Sequence, residues 1–88
     1  MGRISIDGAL AVVAAAFAPY TGDLDRTNRG TRVRLVVYDQ RGKYVHETSE
    51  TDDGVIRDTP RLRRWIEDAR EEILHKGYPL DPWEFPLD

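Results

Sequence analysis

From Leu62 to Leu74 the apolar residues recur at a spacing that suits a helix. Trp65, Ile66, Ala69, Ile73 and Leu74 follow Leu62 at offsets of three, four, seven, eleven and twelve. That lines them along one side of a helix and leaves the charged residues on the other. Asp58 or Thr59 offers a cap, Pro60 suits the first turn, and Gly77 suits the position just past the end. The pattern predicts a helix over about 60–76. A helix with one apolar face is stable only against a partner that covers it, so the rest of the chain must supply that partner.

The strongest strand signal is Thr31 to Asp39. Val33, Leu35 and Val37 alternate with Arg32, Arg34, Val36 and Tyr38, the period of two that separates the faces of a sheet. Asp39-Gln40-Arg41-Gly42 reads as a turn, and Lys43 to about Glu50 returns as the partner strand. A central hairpin therefore spans 31–50. Asp52-Asp53-Gly54 reads as a second turn, and Val55-Ile56 as a brief further strand. Arg3 to Ile6 alternates in the same way and reads as a short N-terminal strand.

A second helix is predicted over about 7–18. Asp7 is its expected cap, and Ile6, Leu10, Val13 and Phe17 fall along one face. Most other positions are alanine, the best helix former and one that lets a neighbour approach closely. A helix this apolar is expected to be buried on more than one side, and Pro19 ends it. Tyr20 to Gly30 reads as a polar connection rich in turn formers. Residues 78–88 carry Pro79, Pro82 and Pro86 among Tyr78, Trp83 and Phe85. They are expected to run extended across the domain's own core, because that many aromatics are costly to leave in water.

The fold expected is α+β: a small antiparallel sheet of two to four strands with two helices packed on one face. Leu10, Phe17, Leu35, Val37, Trp65, Ile66 and Ile73 should form the core. With 88 residues the chain is one domain, 1–88. A chain this short buries only roughly 60–65% of its unfolded surface, which leaves little room for a deep pocket. Function is therefore expected on a surface, in a groove or at an oligomer interface. A lone hairpin leaves its edges open, so the chain is expected as a monomer or a homodimer, with the dimer favoured.

Several chemistries are absent from the sequence. There is no cysteine, so no disulfide, zinc-thiolate site or thiol nucleophile can form. No glycine-rich phosphate loop leads from a strand into a helix. His46 and His75 lack zinc-ligand spacing and read as surface histidines. Asp23-Leu24-Asp25 opens like a calcium loop, but Asn28 and Arg34 stand where glycine and the final glutamate belong. Ser5 and Ser49 lie in no nucleophile motif. No catalytic residue, cofactor site or metal site is assigned, and the chain is expected not to be an enzyme. Arg3 and the apolar run Ala9 to Ala18 sketch a secretory leader, but Asp7 and Gly8 break its approach and Pro19 follows the would-be cleavage point. The run is too short to span a bilayer. A cytoplasmic protein without membrane attachment is expected.

Two charged surfaces remain. Glu67, Asp68, Glu71 and Glu72 sit in the later half of the last helix, while Arg57, Arg61, Arg63 and Arg64 lie near its start. The helix dipole favours the reverse order by about 0.3–1 kcal/mol per charge, so helix propensity did not select them. Together with Asp52 and Asp53, and with Glu47 and Glu50 if the fold brings them near, they form a candidate acidic patch for a partner protein with a basic surface. The rival surface is the arginine-rich hairpin, in which Arg32, Arg34, Tyr38, Arg41 and Lys43 could hold a nucleic-acid backbone and stack a base. The net charge of −3 disfavours it. The simple alternative for both surfaces is a solvated face, with cross-strand pairs to Glu47 on the hairpin.

The expected function is a non-enzymatic interaction module, an inhibitor or regulator that acts on a basic, nucleic-acid-handling partner. Size and composition are shared with phage and mobile-element proteins that block host defence, anti-CRISPR proteins among them; that is an analogy of class and carries no residue. The alternatives are a nucleic-acid-binding accessory protein and, third, an enzyme with its site at a dimer interface.

Overall fold

The computed structural model describes residues 4–27, 31–48 and 50–86. The elements in order are α1 (Ile6–Ala16), β1 (Thr21–Thr27), β2 (Arg32–Tyr38), β3 (Tyr44–Glu47), β4 (Thr51–Asp52), α2 (Asp53–Arg57) and α3 (Thr59–His75). The fold is α+β, with a small antiparallel sheet and helices, as the sequence predicts.

The centre of the sheet is β2. Along one edge β1 pairs with its whole length, from Thr21 opposite Tyr38 to Thr27 opposite Arg32. The other edge is shared: β3 pairs with residues 36–38, and β4 with Arg32 and Val33. Between β3 and β4 the ladder continues by other means. The Thr48 N–H donates to the Leu35 carbonyl (2.9 Å), and the Leu35 N–H donates to the Thr48 hydroxyl (3.0 Å). Val33, Leu35 and Val37 are fully buried against the helices.

The segment read as a polar connection is instead an edge strand. Thr21-Gly22-Asp23-Leu24-Asp25-Arg26-Thr27 has turn formers and one strong apolar residue, so its own pattern is weak. Pairing with β2 and burial of Leu24 override it. Asn28 and Gly30 lie outside the described residues. The chain itself thus supplies a third strand beside the hairpin.

Other local expectations shift for identifiable reasons. Arg3 lies outside the described residues, and Ile4 and Ser5 form no strand. Ser5, not Asp7, caps α1, accepting the Gly8 N–H at 3.1 Å. Val55 and Ile56 belong to the short helix α2, because Asp52 accepts the Gly54 N–H (2.9 Å) and starts a helical turn there. The extra strand is Thr51–Asp52. Asp39 closes the hairpin as expected: its Oδ1 accepts the N–H groups of Arg41 and Lys43 (both 2.9 Å), and Gly42 takes φ 79°. Gly77 ends α3 with φ 93°.

The buried face of α1 is rotated from the stripe of its largest side chains. Ala9, Val12, Val13, Ala16 and Phe17 are buried, while Ile6 and Leu10 are only partly covered. Small residues let the helix come close to β1, and the closest point is Gly22. A Cβ at Gly22 would lie 2.6 Å from the Val13 carbonyl oxygen and 2.8 Å from the Phe17 ring. Ala11, Ala14 and Ala15 face outward, so α1 leaves one side exposed. Trp65 is also only partly buried, whereas Phe17, Leu35, Val37, Ile66 and Ile73 lie in the core as expected.

The tail packs on the domain. Phe85 is buried, with Leu80 and Trp83 against the same core. Arg70 of α3 ties it down: its guanidinium donates to the Ala16 and Asp81 carbonyls and lies 5.6 Å over the Trp83 ring. The Asp81 N–H donates to the Ala18 carbonyl at 2.8 Å.

The close approach at Gly22 makes a direct prediction. Gly22→Ala should destabilise the protein by about 1–3 kcal/mol, the range for overpacking, lowering the melting temperature by about 4–8 °C per kcal/mol. Gly54→Ala, whose added Cβ meets only the Asp52 carboxylate at 3.4 Å, should be neutral or better. Urea titration of the two variants checks this, and equal stability of both would show that α1 does not sit on β1 as described.

Candidate acidic groove

Strand β3 carries a bulge. Val36 faces Glu47 and Val37 faces His46, but Tyr38 faces Tyr44, so Val45 is the extra residue. Simple alternation would send Val45 and His46 to opposite faces. Both are buried here, and His46, expected at the surface, is only 6% exposed.

His46 meets Glu72 of α3 and Lys76, the residue just past the end of that helix. Lys76 Nζ donates to its Nδ1 at 2.8 Å, and its Nε2 lies 3.2 Å from Glu72 Oε1. A lysine ammonium can only donate, so Nδ1 accepts and the ring proton belongs on Nε2, directed at Glu72. Burial holds the His46 pKa below its ordinary value, and the Lys76 charge adds to that; Glu72 and Glu47 pull the other way. The ring is therefore neutral near pH 7 and clips β3 to the end of α3.

Between β3 and α3 lies a groove of about 370 Å³. Its carboxylates are Glu47, Glu50, Asp68 and Glu72, and Trp65 and Ala69 give it an apolar wall. A second hollow of about 290 Å³, lined by Asp68, Glu71, Glu72 and His75, shares two of these acids. The fold thus brings Glu47 and Glu50 to the helix carboxylates. Asp68 and Glu71 form no salt bridge among the described residues, while Glu67 pairs with Arg63 at 3.3 Å. Asp52 and Asp53 stand apart from the groove: Asp52 caps α2, and Asp53 pairs with Arg57 at 3.2 Å.

The hairpin arginines are placed differently. Arg34 is held between Asp25, by an ion pair, and Glu47, at 2.6 Å. The hydrogen bond to Asp25, with support from Glu47, raises its pKa further. Arg32 reaches Glu50 at 3.9 Å. Their charge is answered on the sheet itself. Tyr38 shares this face, and Arg41 and Lys43 lie at the hairpin tip, exposed and outside any salt bridge among the described residues.

No group of three or more acidic, histidine or cysteine side chains among the described residues could hold a metal ion, and no helix among them is long and apolar enough to cross a membrane. The chain matches no protein-family model, no curated protein and no solved structure.

The carboxylates of α3 are legible in the sequence, whereas the burial of His46 and the place of Trp65 in the groove wall are not. The bulge that turns His46 inward has no glycine or other local marker in Tyr44-Val45-His46-Glu47. The spacing of Trp65 placed it correctly on the inward side of α3, but only the position of β3 determines that its edge is left open.

The neutral, buried His46 sets a pH dependence. Its folded pKa is lowered, so below about pH 6.5 the unfolded chain binds the proton more readily than the folded one. The His46 contribution is then fully present above that pH and is lost as pH falls through the lowered folded value. Urea midpoints measured from pH 8 down to pH 5 should fall for the wild type, and the fall should be shallower in His46→Gln. An imidazole resonance of His46 that titrates above 6.5 would refute this.

Proposed function

We propose that this chain is a non-enzymatic interaction module, an inhibitor or regulator that takes arginine or lysine side chains of a basic partner protein into the groove between β3 and α3. One observation carries the reading: Asp68 and Glu72 of α3 face Glu47 and Glu50 across a groove with a tryptophan wall, and while Glu47 and Glu50 also answer Arg34 and Arg32, Asp68 is in no salt bridge among the described residues. An arginine suits such a place, since carboxylates receive its fork of N–H donors while its planar face lies against an indole. The charge order of α3 supports it as well. Glu72 stands in the last turn of the helix, where the dipole disfavours it, and a partner's positive charge would offset that.

The rival reading, a nucleic-acid backbone held by Arg32 and Arg34, has less support, because both already face carboxylates. Proteins that handle nucleic acid present the basic surfaces this groove would fit, and a module that covered such a surface would compete with the nucleic acid for it. The anti-CRISPR class works in such a setting, and the likeness to it rests on size and composition alone.

An arginine-rich peptide is a suitable first probe. Its titration should shift amide resonances of His46, Thr48, Trp65, Asp68 and Glu72. Asp68→Lys with Glu71→Lys should weaken binding by about tenfold or more (roughly 1.4 kcal/mol), with folding unchanged because exposed helix charges contribute only tenths of a kcal/mol. Added salt should reproduce part of the loss. A tagged pull-down from the native host, with and without nuclease, would then identify the partner. Peptide shifts centred elsewhere would end this reading.

A further inference from the structure

At the opposite end of α3 from its start, residues from three parts of the chain meet. Register places Thr21 beside Tyr38, so Tyr20 lies next to the hairpin that follows β2. Tyr78, just past α3, packs edge-on against Tyr20, with ring centroids 5.9 Å apart and planes at 89°. Between these rings and the hairpin tip is an open cleft of about 480 Å³, lined also by Asp39, Gln40, Arg41 and Lys43.

Its chemistry differs from that of the acidic groove. Arg41 and Lys43 are exposed and in no salt bridge among the described residues. The one carboxylate in the lining, Asp39, is engaged by the turn: it accepts the backbone N–H groups of Arg41 and Lys43, and those bonds hold its pKa below the ordinary value. Tyr78 is 37% exposed. The other two of the four tyrosines, Tyr38 and Tyr44, pair across β2 and β3 at the base of the same hairpin, outside the cleft lining, and Tyr44 is 52% exposed. An aromatic face, two exposed cations and the Gln40 amide on one cleft suit a ligand that is planar at one end and anionic at the other. The volume lies within the roughly 300–1,000 Å³ of small-ligand sites.

We propose that this cleft binds a nucleotide unit, with the base stacked on Tyr78 and the phosphate between Arg41 and Lys43. The unit is either a free mononucleotide or one residue of a single strand. The site is separate from the acidic groove and does not rest on the function proposed for it. Because Arg32 and Arg34 face carboxylates, the cations that line the cleft, Arg41 and Lys43, are the ones placed to neutralise its phosphate. Single-strand binding should therefore have a shallow salt dependence, with log K falling against log salt at a slope of roughly −0.7 for the one phosphate held.

The test is titration of the full chain with adenosine monophosphate, adenosine, inorganic phosphate and a short single-stranded oligonucleotide, followed by NMR. The proposal expects the mononucleotide to shift Tyr20, Gln40, Arg41, Lys43 and Tyr78. Arg41→Ala with Lys43→Ala should weaken binding by about tenfold or more, Tyr78→Ala should weaken it too, and Asp68→Lys with Glu71→Lys should leave it in place. Equal affinity for mononucleotide and oligonucleotide identifies the free nucleotide as ligand. Much tighter oligonucleotide binding that also weakens in Tyr44→Ala identifies the strand. All the substituted side chains are exposed, and unchanged amide spectra elsewhere will show that the variants fold. Three results would overturn the proposal: no shift with any probe at millimolar concentration, shifts centred away from the cleft, or inorganic phosphate binding as well as the mononucleotide with Tyr78→Ala without effect.

Discussion

Burial of Val33, Leu35 and Val37 beneath the helices sets the position of every surface described above. These three side chains leave β2 on one face and are fully covered. Because side chains alternate along a strand, Arg32, Arg34 and Tyr38 must then point away from the helices. Slipping β2 by one residue would put the arginines into the core and is prohibitive. Pairing along both edges of β2 fixes what stands beside each arginine: Asp25 opposite Arg34 on one side, and Glu47 within reach on the other.

That arrangement sorts the charges of a nearly balanced chain into separate regions. On the outer sheet face basic and acidic side chains answer one another. On the exposed side of α3 and the facing part of β3 carboxylates predominate, with His46 buried and neutral behind them. At the hairpin tip Arg41 and Lys43 stand exposed, in no salt bridge among the described residues. Exposed Asp23 and Asp25 on β1 have a further consequence, because charge along an edge strand discourages edge-to-edge pairing with another sheet.

Two tight contacts hold the helices and the tail around one core. Gly22 lets α1 approach β1, and small Ala9 and Ala16 let the helix settle there. Arg70 then joins the end of α1, the middle of α3 and the tail through two carbonyls and the Trp83 ring. A partly buried guanidinium keeps its donors satisfied in this way, and burial lowers its pKa below the ordinary arginine value.

The sequence by itself determined the α+β class, the helix ended by Gly77, a strand within Thr31 to Asp39, the turn at Asp39–Gly42 and the exposure of the carboxylates on α3. Each of these is local: a periodicity, a cap, or a residue whose own conformational limits end an element. Tertiary structure alone decided the rest. Thr21–Thr27 is a strand because β2 offers it a ladder and the core accepts Leu24, although its own residues favour turns. Val55 and Ile56 turn helical because Asp52 caps them. His46 is buried because Val45 bulges, and Glu47 and Glu50 meet Asp68 and Glu72 because β3 lies along α3. Such outcomes depend on contacts between residues far apart in the chain, and no pattern within a short window records them.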